Sequence, residues 1–125
     1  AIAMFGGARV GKEHASYRHA YELANIAARH GVATISGGGP GIMEAANKGS
    51  FDAGGISIGL NIKLPSEQVP NPHQSISLDF EHFAARKIGF CAFSSAYAIF
   101  QGGFGTLDEV FEALTLVQTY SFDRC

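Results

Sequence analysis

Short apolar runs alternate with longer stretches of helical periodicity along this chain. Residues 2–5 form the first apolar run and predict a strand. Over 13–30 the pattern is helical, with Tyr17, Ala20, Tyr21, Ala24, Ala27 and Ala28 on one face, and Gly31 follows as a C-terminal cap. Residues 32–35 predict a second strand, 42–53 a second helix that stops at Gly54-Gly55, and 56–60 a third strand. Residues 61–75 hold three of the four prolines and predict a long surface loop. A short strand over 76–78, a helix over 81–94, a strand over 96–100 and a last helix over 107–119 complete the pattern. The strands are apolar throughout instead of alternating. Strands of that kind, separated by helices, predict an α/β domain: a parallel sheet covered on both faces in three layers and doubly wound. Ligands of such sheets bind at the carboxyl ends of the strands, near the point where strand order reverses. All three glycine-rich turns are expected at that edge.

Composition adds limits. The 125 residues predict one domain over 1–125. Net charge is −2, and no Lys/Arg run exceeds two residues, which argues against nucleic acid as a partner. Cys91 and Cys125 offer no disulfide framework and no metal spacing, so a reduced, cytoplasmic protein is expected. No apolar run approaches the roughly 18 residues of a membrane span. The chain opens inside an expected strand and ends just after an expected helix. It therefore reads as a fragment, or as a chain missing its last sheet elements.

Chemistry concentrates in Gln101-Gly102-Gly103-Phe104-Gly105-Thr106-Leu107-Asp108-Glu109, between an expected strand and an expected helix. Glycines there let backbone N–H groups approach an anion, and the helix N-terminus adds partial positive charge. Thr106 adds a hydroxyl, and Glu109 a carboxylate one turn on. Thr106 and Glu109 also fit a capping box, and the two readings are compatible. Gly6-Gly7-Ala8-Arg9-Val10-Gly11-Lys12 is followed by Glu13, without the hydroxyl that a nucleotide-triphosphatase loop uses for Mg²⁺. Gly37-Gly38-Gly39-Pro40-Gly41 is followed by Ile42 where a dinucleotide fingerprint needs Gly or Ala. Ser36 ends that strand in place of a ribose-binding acid, so NAD or FAD is not expected. Glu44 reads either as a dipole-satisfying acid or as a ligand contact. Arg86 and Lys87 point about 100° apart on their helix and cannot share one role. Phe83 and Phe90 place Arg86 on or beside a buried face, as a structural ion pair or as a cation aimed at a ligand.

Three segments together resemble the LOG family, named after the plant Lonely Guy protein and often labelled lysine decarboxylase-like. They are Gly37-Gly38-Gly39-Pro40-Gly41-Ile42-Met43-Glu44, Arg86-Lys87, and the Gln101–Glu109 segment, in family order and spacing. Gln101 stands where the family has Pro, which only rigidifies the turn. The resemblance implies a Rossmann-like fold and a phosphoribohydrolase. It would cleave the N-glycosidic bond of a nucleoside 5′-monophosphate, AMP or a cytokinin riboside monophosphate, to free base and ribose 5-phosphate. It implies Arg86 and Glu109 as catalytic residues. Substrate contacts would come from Gly38, Gly39, Met43, Glu44, Lys87, Gly102, Gly103, Gly105 and Thr106. No metal or cofactor is implied, and a homodimer or larger assembly is. Molybdenum-cofactor carrier proteins share the fold, so a non-catalytic binding module is the alternative.

Overall fold

The computed structural model describes residues 1–63, 69–102, 106, 110–111 and 114–115. The apolar runs form β1 (Ile2–Phe5), β2 (Thr34–Ser36), β3 (Ser57–Ile62), β4 (Ile76–Phe80) and β5 (Ala96–Ile99). The periodic stretches form α1 (Ala15–Arg29), α2 (Ile42–Asp52) and α3 (Phe83–Phe93). The strands make one sheet in the order β4-β3-β2-β1-β5, and every pairing is parallel. The chain steps outward from β1 to β4, then crosses back to place β5 on the free side of β1. Strand order therefore reverses between β1 and β5.

Alternation along β1 divides the core in two. Ala3 and Phe5 face one side and pack with Ile35, Leu60 and Phe90 of α3. The Phe5 and Phe90 rings meet edge-to-face with centroids 5.0 Å apart. Met4 faces the other side, against Ala24 of α1 and Ala46 of α2. Small residues at Ala20, Ala24, Ala45 and Ala46 are fully buried where these two helices meet the sheet. The result is three layers, with α1 and α2 on one face and α3 on the other.

Several element ends differ from the sequence expectation, each for a local reason. α1 starts at Ala15, because His14 caps it by accepting the Ser16 N–H at Nδ1, 3.1 Å away. β3 continues two residues into the expected loop, because Asn61 and Ile62 pair with Asp79 and Phe80 of a longer β4. Cover is also uneven at that edge: Ile76 and Leu78 of β4 are 44% and 42% exposed. Phe83 is 52% exposed where Phe90 is buried, so the buried face beside Arg86 is marked by Phe90 and not by Phe83. Phe83 opens α3 just past β4, the edge strand on that side among the described residues. Gly31 and Gly54 follow the first two helices with φ of 76° and 73°, the conformation that ends a helix at glycine. Of the expected last helix, Val110, Phe111, Leu114 and Thr115 are described, and each is helical, as is Thr106 just before it.

Candidate functional site

The three glycine-rich turns meet at the carboxyl edge of the sheet, with Gly7 at their centre. Gly7 follows β1. Its N–H donates to the Gln101 carbonyl at 2.7 Å, and its carbonyl accepts the Ile42 N–H at 3.0 Å. The first turn is thereby tied both to the turn after β5 and to the start of α2. Gly41 enters α2 with φ of 70°, a region that side chains disfavour. A Cβ there would also strike the Gly7 carbonyl oxygen. Beyond β5, Gly102 lies against the Thr106 hydroxyl and the Gly7 backbone nitrogen. Gln101 makes its tie to Gly7 through its carbonyl, so that bond does not need the family's Pro. Gly103, Gly105 and Glu109 lie outside the described residues.

Arg86 comes to the same edge from α3. The residue is only 7% exposed. Its guanidinium rests on the backbone of Gly37, so closely that a Cβ at Gly37 would overlap Nη2. Phe90 supports it from one turn further along, with Cζ 5.6 Å from the ring centroid, within cation–π range. Met43 lies over the same turn, its sulfur and methyl beside Gly37 and Gly39. Lys87 is half-buried. The two adjacent cations thus occupy different environments, as their angular separation requires.

Glu44 is turned to another side of α2. The Tyr17 hydroxyl donates to it at 3.4 Å, and Lys12 lies 3.7 Å away. Burial, reinforced by the Glu44 charge, pushes the Tyr17 hydroxyl up to about 12. Beside this pair, a groove of about 350 Å³ runs between α1 and α2, lined by Tyr17, Tyr21 and Lys48 among others. Lys48 there is already paired, since Asp52 accepts from it at 2.7 Å, and Asp52 also accepts from the Tyr21 hydroxyl at 2.7 Å.

One group of buried polar residues was not singled out by the sequence. Asn47 of α2 is fully buried. Its Oδ1 accepts from the Ser36 hydroxyl and from Asn71 Nδ2 at 3.1 Å. Its Nδ2 donates to Ser57 Oγ at 2.9 Å and to the Ile58 carbonyl at 3.1 Å. All four positions of the amide are used. Asn71 then reaches the glycine turn, donating from Nδ2 to the Gly39 carbonyl at 2.9 Å and from its N–H to the Gly38 carbonyl at 2.8 Å. Gln74 Nε2 adds a second donor to Gly38, at 3.0 Å. The Gly38 N–H donates to Ser36 Oγ at 3.0 Å, so both backbone groups of Gly38 are held internally. The available signal was an asparagine in the middle of an otherwise small and apolar helix face.

An all-parallel, doubly wound sheet with glycine turns gathered at its switch point defines an α/β protein of the Rossmann-like class. Residues 43–124 match the family described as "Possible lysine decarboxylase". The chain belongs to that family, the LOG-like proteins. It is 31% identical over 114 residues to a protein of Archaeoglobus fulgidus, covering 90% of this chain and 72% of that one. Among solved structures it is similar to the molybdenum cofactor binding protein of Rippkaea orientalis, at 30% identity and a TM-score of 0.77, over 91% of this chain and 69% of that one. It is similar also to the molybdenum cofactor carrier protein of Chlamydomonas reinhardtii, at 29% identity and a TM-score of 0.77, over 93% and 71% of the two chains. A structural-genomics X-ray structure at 24% identity shares the fold, with a TM-score of 0.78 over 92% of this chain and 68% of the other.

Proposed function

We propose that this protein hydrolyses the N-glycosidic bond of a nucleoside 5′-monophosphate. Membership of the LOG-like family supports the reading. The observation that carries it is the buried Arg86 set on the Gly37 turn, at the edge where the other glycine turns join through Gly7. In this reading the 5′-phosphate sits on the backbone of Gly102, Gly103 and Gly105 with the Thr106 hydroxyl, at a helix start that favours an anion. Gly38, Gly39, Met43 and Lys87 complete the surroundings of the substrate, while Glu44, held by Tyr17 and Lys12, faces away from them. Glu109 stands near the ribose. Cleavage passes through an oxocarbenium-like state, which a carboxylate stabilises while activating the attacking water. Water oxygen bonds to C1′ and gives up a proton, the C1′–N bond breaks with its electron pair going to the base, and one proton ends on that base nitrogen. Arg86 orients Glu109 and keeps it ionised, since a neighbouring cation lowers a carboxyl pKa. The substrate is AMP or a cytokinin riboside monophosphate, and the setting is cytoplasmic. The working unit is a homodimer or larger, a state that the exposed Phe83, Ile88 and Phe93 on α3 would favour.

The second reading is a non-catalytic carrier. The similarity to two proteins named for binding or carrying molybdenum cofactor supports it. Incubation with AMP and chromatography for free adenine separates the two. Release of adenine supports the hydrolase. An intact AMP pool, together with saturable binding of molybdenum cofactor, supports the carrier.

A further inference from the structure

We infer that Asn71, acting with Asn47 and Gln74, is a positioning residue that aims Arg86 by locking the Gly37–Gly39 turn. The inference rests on the catalytic reading of Arg86 given above. Residues 37–39 are held from two sides. On one side lie the Arg86 guanidinium and Met43, in contact with the glycine backbone. On the other side Asn71 and Gln74 draw in the Gly38 and Gly39 carbonyls through three hydrogen bonds of 2.8, 3.0 and 2.9 Å. Asn71 is itself only 7% exposed, and its amide is fixed by Asn47, which also ties β2 to β3. Gln74 is fixed in turn by Asn61, whose Nδ2 donates to Gln74 Oε1 at 3.1 Å. The glycine turn has no side chains of its own to set its position, so the amides set it. A buried polar network with its members satisfied is rigid, because any displacement strands a donor or acceptor away from water. Arg86 packs directly on that turn, so a shift of the turn becomes a shift of the guanidinium. Displacements of about 1 Å at a catalytic group can cost on the order of 10²-fold in rate.

The test compares Asn71→Ala with Ser75→Ala in the full chain. Ser75 also hydrogen-bonds Ser57, at 2.8 Å from the Ser57 N–H, but has no bond to the glycine turn. The readouts are the amide NMR signals of residues 37–39, the Nε–Hε signal of Arg86, and kcat and KM for AMP. Asn71→Ala is expected to move both sets of signals and lower kcat by about 10²-fold. Ser75→Ala should leave the signals in place even where the melting temperature falls. Gln74→Ala, which removes the side-chain donor from Gly38 and leaves the Asn71 N–H bond to that carbonyl in place, should also displace the turn, and it serves if Asn71→Ala does not fold. Unmoved Arg86 and glycine signals in Asn71→Ala would overturn the inference. So would equal movement in Ser75→Ala, since general loosening would then explain both. A parent that leaves AMP intact defeats the hydrolase reading instead, and the lock is then judged on the NMR signals alone.

Discussion

Arg86 meets Gly37 through its guanidinium, and an ammonium on a flexible stem offers neither its planar donors nor its stacking surface. Arg86→Lys keeps the charge and loses that fit. We expect turnover of AMP to fall by about 10²–10³, the scale of one preorganised electrostatic group. Steady-state kinetics against Lys87→Ala checks it: a silent Arg86→Lys beside a dead Lys87→Ala would mean the neighbours' roles are reversed. Glu109→Gln should keep AMP binding, measured by calorimetry, and lose turnover on the same scale. Near-normal turnover would leave Glu109 as a capping residue only.

At the level of elements, the α1–α2 contact carries a pH signature. The Tyr17 hydroxyl, raised from 10.0 to about 12 by burial and by Glu44, keeps its proton in the folded chain longer than in the unfolded one. Its contribution is therefore complete below pH 10 and fades as pH rises toward about 12. The two-unit difference sets an upper scale of about 3 kcal/mol. Urea unfolding at about pH 9 and pH 11 should show a smaller alkaline loss in Tyr17→Phe than in the parent. An unchanged slope would mean that Tyr17 does not carry the effect.

Elements were also the most legible part of the sequence. Gly31 and Gly54-Gly55 stop their helices where expected, and the apolar runs at β1 and β5 lie where expected, because glycine placement and hydrophobicity are local signals. The extension of β3 through Asn61 was not legible, since a polar strand end looks like a loop until its partner Asp79 is in place. The same holds for the lock. Ser36, Asn47, Ser57 and Asn71 each read as ordinary polar residues, and only the fold brings them together. Arg86 could be marked as buried from Phe90, but its seat on Gly37 depends on α3 and the β2–α2 turn, which lie far apart in sequence.

For the molecule as a whole, the edge at the switch point is built from backbone, and backbone N–H groups select for an anion. AMP should be hydrolysed and adenosine left nearly inert, with free phosphate or sulfate competing. Binding energy from the remote phosphate can orient the glycosidic bond, so its loss should lower kcat as well as affinity. Comparable release of adenine from both substrates by one preparation would contradict the phosphate assignment.

The pairing of β1 with β5 also dictates an order of events during synthesis. Ile2 pairs with Ala96 and Phe5 with Ile99, so β1 waits for a strand made much later in the chain. Until β5 emerges from the ribosome, one edge of β1 stands bare, a template for pairing with other chains. Such long-range closure is slow relative to helix formation. Gly7 cannot donate to Gln101 before it happens. A ligand that needs the joined turns therefore binds only chains in which β5 has joined β1, and by mass action it holds them folded.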